Sequence, residues 1–107
     1  MLKRNSDFLR VYRKGKFFAG RILVIYVLSN NYNINRLGIS TVKNFGSSVL
    51  RNRMRRLVKE NYRIVEDKVD KSCDIVFLVR KTGEKEPLYK DVEKEMKFLL
   101  RKMGIFE

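Results

Sequence analysis

The spacing of apolar positions changes period several times along the chain, and each change predicts an element. Asn5 or Ser6 can cap a first helix, with Asp7 in its first turn and Phe8, Leu9, Val11 and Tyr12 following. Gly15 is placed to end that helix as a C′ residue. Phe17 and Phe18 start a short strand, and Ile22–Leu28, rich in β-branched residues, predicts a second. The polar stretch Ser29–Asn35 reads as a hairpin loop to a third strand over Arg36–Val42. Asn44–Ser48 breaks the pattern, and Ser47 or Ser48 can cap a long helix reaching about Glu66. A charged linker, Asp67–Ser72, leads to an apolar strand over Cys73–Val79. After a loop at Thr82–Glu86, Pro87 suits the first turn of a last helix. Leu88, Val92, Met96, Leu99, Leu100 and Met103 form its core stripe, and Gly104 is its stop. The order α-β-β-β-α-β-α predicts one α+β domain over residues 1–107, a two-layer sandwich with a small mixed sheet.

The long central helix carries an unusual load. At ~100° per residue, Leu50, Met54, Leu57, Val58, Ile64 and Val65 share one side. Asn52, Arg55, Arg56, Lys59 and Arg63 take the opposite side, with Arg51 and Arg53 on the flanks. An ordinary solvated helix alternates charge sign for support four residues apart. Here Arg51/Arg55, Arg55/Lys59 and Lys59/Arg63 are like-charged pairs, costing together about 1 kcal/mol without a partner. Phosphates lying along this face remove that cost, so the pattern points to a nucleic acid.

Charge distribution sharpens the point. The net charge of the 107 residues is +13, of which residues 1–66 hold +12 and residues 67–107 only +1. Such concentration in a small domain points to a polyanion. A membrane surface fits less well, because no Trp-bearing amphipathic face accompanies the charge. The longest apolar run, Ile22–Leu28, is strand-length, and no hydrophobic segment follows Lys3 and Arg4, which predicts a cytoplasmic protein.

Candidate chemistry is sparse. Histidine is absent, removing the commonest general base and zinc ligand. Cys73 is the only cysteine, and its place at the start of an apolar run suits a buried, inert thiol. The acids of the basic half, Asp7, Glu60 and Glu66, are too scattered for a carboxylate-built two-metal nuclease site. No phosphate-binding glycine motif occurs, and nothing suggests a small-molecule substrate. Taken alone, the chain makes a poor catalyst. A strand before the basic helix argues against a helix-turn-helix, and a convex face of Arg and Asn suits structured RNA more than a DNA groove.

These residues also match a known pattern. The stretch Arg36–Arg63, "RLGISTVKNFGSSVLRNRMRRLVKENYR", resembles the signature of the bacterial ribonuclease P protein subunit, with its "RNR" core. "NSDFLRVYRKGK" (Asn5–Lys16) is similar to the N-terminal element of that family, and "CDIVFLVRK" (Cys73–Lys81) to its last strand. Asn44 stands where a second cation usually follows Lys43, and Ser48 where Ala is usual. The resemblance implies a ribonucleoprotein endonuclease that removes the 5′ leader of precursor tRNA. It implies that a large RNA subunit performs Mg²⁺-dependent hydrolysis and holds most of the metal, with no catalytic residue in this chain. It assigns Arg51, Asn52, Arg53, Arg55, Arg56, Lys59 and Arg63 to the RNA subunit. It assigns Phe8, Tyr12 and Tyr26, with Arg13, Lys14 and Lys43 nearby, to a cleft for the single-stranded leader. Aromatics beside a basic groove suit single strands; Phe8 and Tyr12, four apart, also suit a core, but the hydroxyls of Tyr12 and Tyr26 need a partner or solvent and favour partial exposure. The resemblance further implies a left-handed strand–helix–strand crossover, against the usual rule. The alternative is a structural RNA-binding protein such as a ribosomal component.

Overall fold

The computed structural model describes residues 1–83 and 85–107; Glu84, in the expected loop Thr82–Glu86, lies outside the described residues. The elements follow the expected order: α1 (Asn5–Lys14), β1 (Lys16–Ala19), β2 (Leu23–Ser29), β3 (Arg36–Thr41), α2 (Ser48–Val65), β4 (Cys73–Val79) and α3 (Tyr89–Lys102). A short 3₁₀ turn, Glu66–Lys68, occupies the start of the expected linker.

The strand order is β1-β2-β4-β3, and this corrects one expectation. Ser29–Asn35 does not close a hairpin, because β4 lies between β2 and β3. β4 pairs antiparallel with β2 (Ile25 opposite Phe77) and parallel with β3 (Ile39 opposite Phe77). The reason is burial: all but Leu78 of the seven residues of β4 are buried, so β4 suits the centre. β3 buries only Leu37 and Gly38 and takes an edge. A parallel pair needs a long crossover, and α2 supplies it. The loop 29–35 instead runs to the start of β4, where the Asn30 N–H donates to the Ser72 carbonyl at 2.8 Å.

Alternating strand residues serve two faces. Leu23, Ile25, Leu37, Ile75, Phe77 and Val79 pack against Met54 and Val58 of α2 and Met96 and Leu99 of α3. On the other face Val76 joins Leu2 and Val11, with Phe8, Tyr12, Tyr26 and Leu28 around them. The sheet and the α2–α3 layer make the expected sandwich, and α1 adds a short layer on the opposite face.

Several helix boundaries differ from expectation. α1 has no side-chain cap, its N-cap residue being Arg4. Gly15 is extended (φ −77°) and not left-handed. It is required by close approach instead, since a Cβ there would stand 2.6 Å from the Val11 carbonyl oxygen and 2.9 Å from that of Val27. Pro87 precedes α3, and Leu88 is its exposed N-cap residue (71% exposed), not a core residue. The Leu88 N–H donates to the Asp91 carboxylate at 2.9 Å. Gly104, at φ +73°, ends α3 as expected. Glu95 clamps the β1–β2 turn, accepting the N–H groups of Arg21, Ile22 and Leu23 at 2.9, 2.7 and 2.6 Å. No helix among the described residues is long and apolar enough to cross a membrane.

Candidate nucleic-acid interface

The basic helix is set by its buried side. Ser47 caps α2, its hydroxyl accepting the Leu50 N–H at 3.2 Å. Met54, Val58, Asn61, Tyr62 and Val65 are buried. Leu57 is partly buried and packs against the core as expected, but Ile64 is 67% exposed, contrary to the expected stripe. The core face is thus rotated toward Tyr62, because Tyr62 and Asn61 find neighbours. Tyr62 meets Phe77 edge-on at 6.1 Å, and the Asn61 amide donates to the Leu57 carbonyl at 3.2 Å.

This rotation leaves Asn52, Arg56, Lys59 and Arg63 exposed at spacings that keep them on one line. With 1.5 Å of rise per residue the line is about 17 Å long. Arg55 is half-buried beside it and donates to the Asn52 side-chain oxygen at 2.9 Å. Arg51 is half-buried on one flank. Arg53, on the other flank, is turned away into an ion pair with Glu86 at 2.9 Å. Of the seven residues expected at this face, four therefore form its centre. Arg55, Arg56, Lys59 and Arg63, with the acid Glu60 among them, line a shallow hollow together with Met1 and Ile39, so the mainly cationic surface reaches the edge strand β3.

The second surface lies across the sheet. α1 brings Phe8 and Tyr12 to the face that carries Tyr26: Phe8 and Tyr12 are 6.3 Å apart, and Tyr12 meets Tyr26 edge-on at 4.8 Å. All three are half-buried, which fits neither a sealed core nor free side chains. Phe17 of β1 stacks on Tyr26 at 5.6 Å and 29° and is 64% exposed. No local pattern points to this role, because pairing of β1 with β2 alone sets Phe17 beside Tyr26. Asn5, Phe8, Leu9, Tyr12 and Ser40 line an open hollow beside α1. Gly38 is necessary below it: a Cβ there would stand 2.7 Å from the Phe8 ring. Burial pushes the Tyr12 phenol above its usual range, partly offset by the neighbouring polar side chain of Ser40.

The expected cations are less closely gathered. Arg13 is exposed next to Tyr12, and Lys43 is exposed just past the end of β3. Lys14 lies ~160° around α1 from Tyr12 and belongs to the opposite flank. That flank faces a cluster which the sequence did not reveal. Asp74, fully buried, accepts Arg36 Nε and Nη2 at 2.8 and 2.7 Å, Asn30 Nδ2 at 2.8 Å and Arg10 Nη2 at 3.0 Å. Burial by itself raises the carboxyl, but hydrogen bonds from Arg36 and Asn30 and the Arg36 charge outweigh it and hold it below the usual carboxylate range. Arg36 also covers the Tyr32 ring at 4.8 Å. The cluster ties α1, β3, β4 and loop 29–35 together. Cys73 is buried, and burial, with Asp70 and Asp74 nearby, keeps its thiol protonated.

The described side chains do not fit a resident divalent ion. No three His, Cys, Asp or Glu residues gather among them. The inward carboxylates of Asp74 and Glu95 are already occupied by donors of the chain itself.

The chain is similar to known proteins over nearly its whole length. The model of the family described as Ribonuclease P matches residues 1–104. The ribonuclease P protein component of Clostridium botulinum (strain 657 / Type Ba4) is 44% identical over 106 residues, covering 98% of this chain and 95% of that one. The Staphylococcus aureus RNase P protein superposes with a TM-score of 0.87 at 31% identity, covering 99% of this chain and 96% of that one. A variant of the S. aureus protein, described as defective in mRNA degradation activity, superposes equally well, with 0.87 at 31% identity over 98% and 88% of the two chains.

Proposed function

The chain belongs to the ribonuclease P protein family, and from that premise we propose that its two surfaces divide the work of a ribonucleoprotein. As a ribonuclease P protein component it is a subunit of an endoribonuclease that acts in tRNA 5′ maturation. In our reading, the line Asn52–Arg56–Lys59–Arg63, with Arg55 beside it and Arg51 and Arg53 on its flanks, docks the RNA subunit. The cleft of Phe8, Tyr12, Tyr26 and Phe17, with Arg13 and Lys43 at its margin, receives the single-stranded 5′ leader of precursor tRNA. Lys14 contributes long-range attraction only. The ribosomal alternative gives way to the family membership.

The observation that carries this reading is the position of the two surfaces on either side of β3. Consecutive residues of a strand point to opposite faces. Ile39 borders the cationic hollow and Ser40 the aromatic one. A catalytic RNA bound to α2 and a leader bound beside α1 would therefore meet across one edge strand.

The side chains supply binding and not chemistry. Cations along α2 neutralise phosphates of the RNA subunit and release counterions. The half-buried rings offer π faces to unpaired bases of any identity, a stack being worth ~1–3 kcal/mol. Mg²⁺ would stay with the RNA, where it supplies the nucleophile and stabilises charge. The particle would work in the cytoplasm with its nucleic-acid partners.

The test is reconstitution with the RNA subunit at low Mg²⁺. The complex should cleave precursor tRNA, and the protein alone should not. Tyr12→Ala should weaken leader-bearing substrate by about 5- to 150-fold while mature tRNA is nearly unaffected. Equal loss for both substrates would reject the cleft assignment. The mRNA degradation activity named for the S. aureus protein raises a second reading, action on RNA without the RNA subunit. Cleavage of precursor tRNA or mRNA by the purified protein would establish it and overturn the purely binding role.

A further inference from the structure

β1 is an edge strand whose two phenylalanines point to opposite faces of the sheet. Phe17, in register with Tyr26, lies over the cleft. Phe18, in register with Ile25, points to the α3 side and meets Phe98 edge-on at 6.2 Å. Both rings of this second pair remain open to solvent, at 39% and 48% exposure. Lys102 Nζ stands 5.7 Å from the Phe18 centroid and 5.6 Å from that of Phe98.

This grouping is a platform and not part of the core. Lys94, Phe98 and Lys102 recur every four residues, so cation, ring and cation share one stripe of α3. The acids of the same flank are engaged elsewhere. Glu95 is held by three N–H groups of the β1–β2 turn, and Asp91 by the Leu88 N–H. Among the described residues, no ion pair engages Lys94 or Lys102. A second copy of the chain is a poor occupant, because it brings another +13 of charge to a cationic patch. An unpaired base with its phosphates satisfies both components, the ring by stacking and the ammonium groups by charge.

We propose that a single-stranded leader leaving the cleft past Phe17 turns over the free edge of β1. There it sets a base farther from the tRNA body on Phe18 and Phe98, with Lys94 and Lys102 on the adjoining phosphates. The unpaired N–H and C=O groups along the outer edge of β1 face the crossing strand. The inference rests on the assignment of the leader to the cleft. It makes the chain a two-station reader of leader length, with one aromatic station on each side of the sheet.

Leader length therefore provides the experiment. The reconstituted complex is assayed for binding of precursor tRNAs whose leaders are shortened one nucleotide at a time. Phe98→Ala should lower affinity about five- to tenfold for long leaders and leave short ones unchanged. Phe98→Tyr should keep wild-type affinity at every length. Unchanged binding of short leaders also shows that Phe98→Ala is folded. A loss equal at all lengths, or absent at all lengths, overturns the proposal. So does a Phe98→Ala variant that only converts a dimer into a monomer in sedimentation. Tyr12→Ala separates the two levels. If it weakens leader binding while Phe98→Ala does not, only the second station fails. If Tyr12→Ala has no effect at any length, the cleft assignment fails and the second station with it.

Discussion

Replacing Asp74 by Asn perturbs a buried charge that joins α1 to the sheet. The carboxylate is fully buried and accepts four hydrogen bonds, two from Arg36 and one each from Arg10 and Asn30. Asparagine keeps the shape and one acceptor, but its NH₂ group would point at guanidinium donors. Breaking a sealed buried pair costs ~3–5 kcal/mol. Here the Arg36 and Arg10 side chains are 21% and 45% exposed, so both can recover water. The expected loss is therefore ~2–4 kcal/mol, read from urea unfolding at neutral pH. Arg10→Ala, removing only the more exposed partner, should cost less than ~1 kcal/mol.

The same substitution carries a pH signature. The folded carboxyl is held below its ordinary range by Arg36 and Asn30 against the opposing effect of burial. Its contribution is therefore complete above the unfolded value of about 4 and is lost as pH falls from there through the lower folded value. The amide introduced by Asp74→Asn does not titrate, so the two stabilities should converge below about pH 4. A loss under ~1 kcal/mol at neutral pH, or a gap that stays constant down to about pH 2, would refute the reasoning.

Two further outcomes follow from α2. Arg56→Ala and Lys59→Ala should each reduce the log–log salt slope of RNA-subunit binding by ~0.7–0.9 with stability within ~0.5 kcal/mol of wild type, whereas Arg53→Ala should change the slope less because Glu86 already holds that side chain. Met54→Ala, at a site 1% exposed, should destabilise by ~2–5 kcal/mol, while Ile64→Ala, at a site 67% exposed, should stay within ~0.5 kcal/mol; comparable losses in chemical denaturation would restore the wider apolar stripe.

What could be read in advance was local. Apolar period and turn residues located all seven elements, because each repeats within a few neighbours along the chain. The capping of α2 by Ser47 and the ending of α3 at Gly104 are of the same kind. Even here the limit shows at Ile64 and Leu88. Both are apolar at nearly the right angle, yet no neighbour covers them. The wheel knows the spacing of residues and not the position of the sheet.

Charge and composition by themselves pointed to a polyanion as partner and removed histidine, the commonest general base, from the chain. Those conclusions need only counting and short-range spacing. The tertiary structure alone decided that β4 enters between β2 and β3, since strand order depends on which strand can bury both faces. It alone set Phe17 over Tyr26, Phe18 against Phe98, and Asp74 among Arg10, Arg36 and Asn30. The Asp74 partners lie 38 to 64 residues away along the chain. No local pattern records such a meeting, because it exists only once the sheet has brought distant segments to one place.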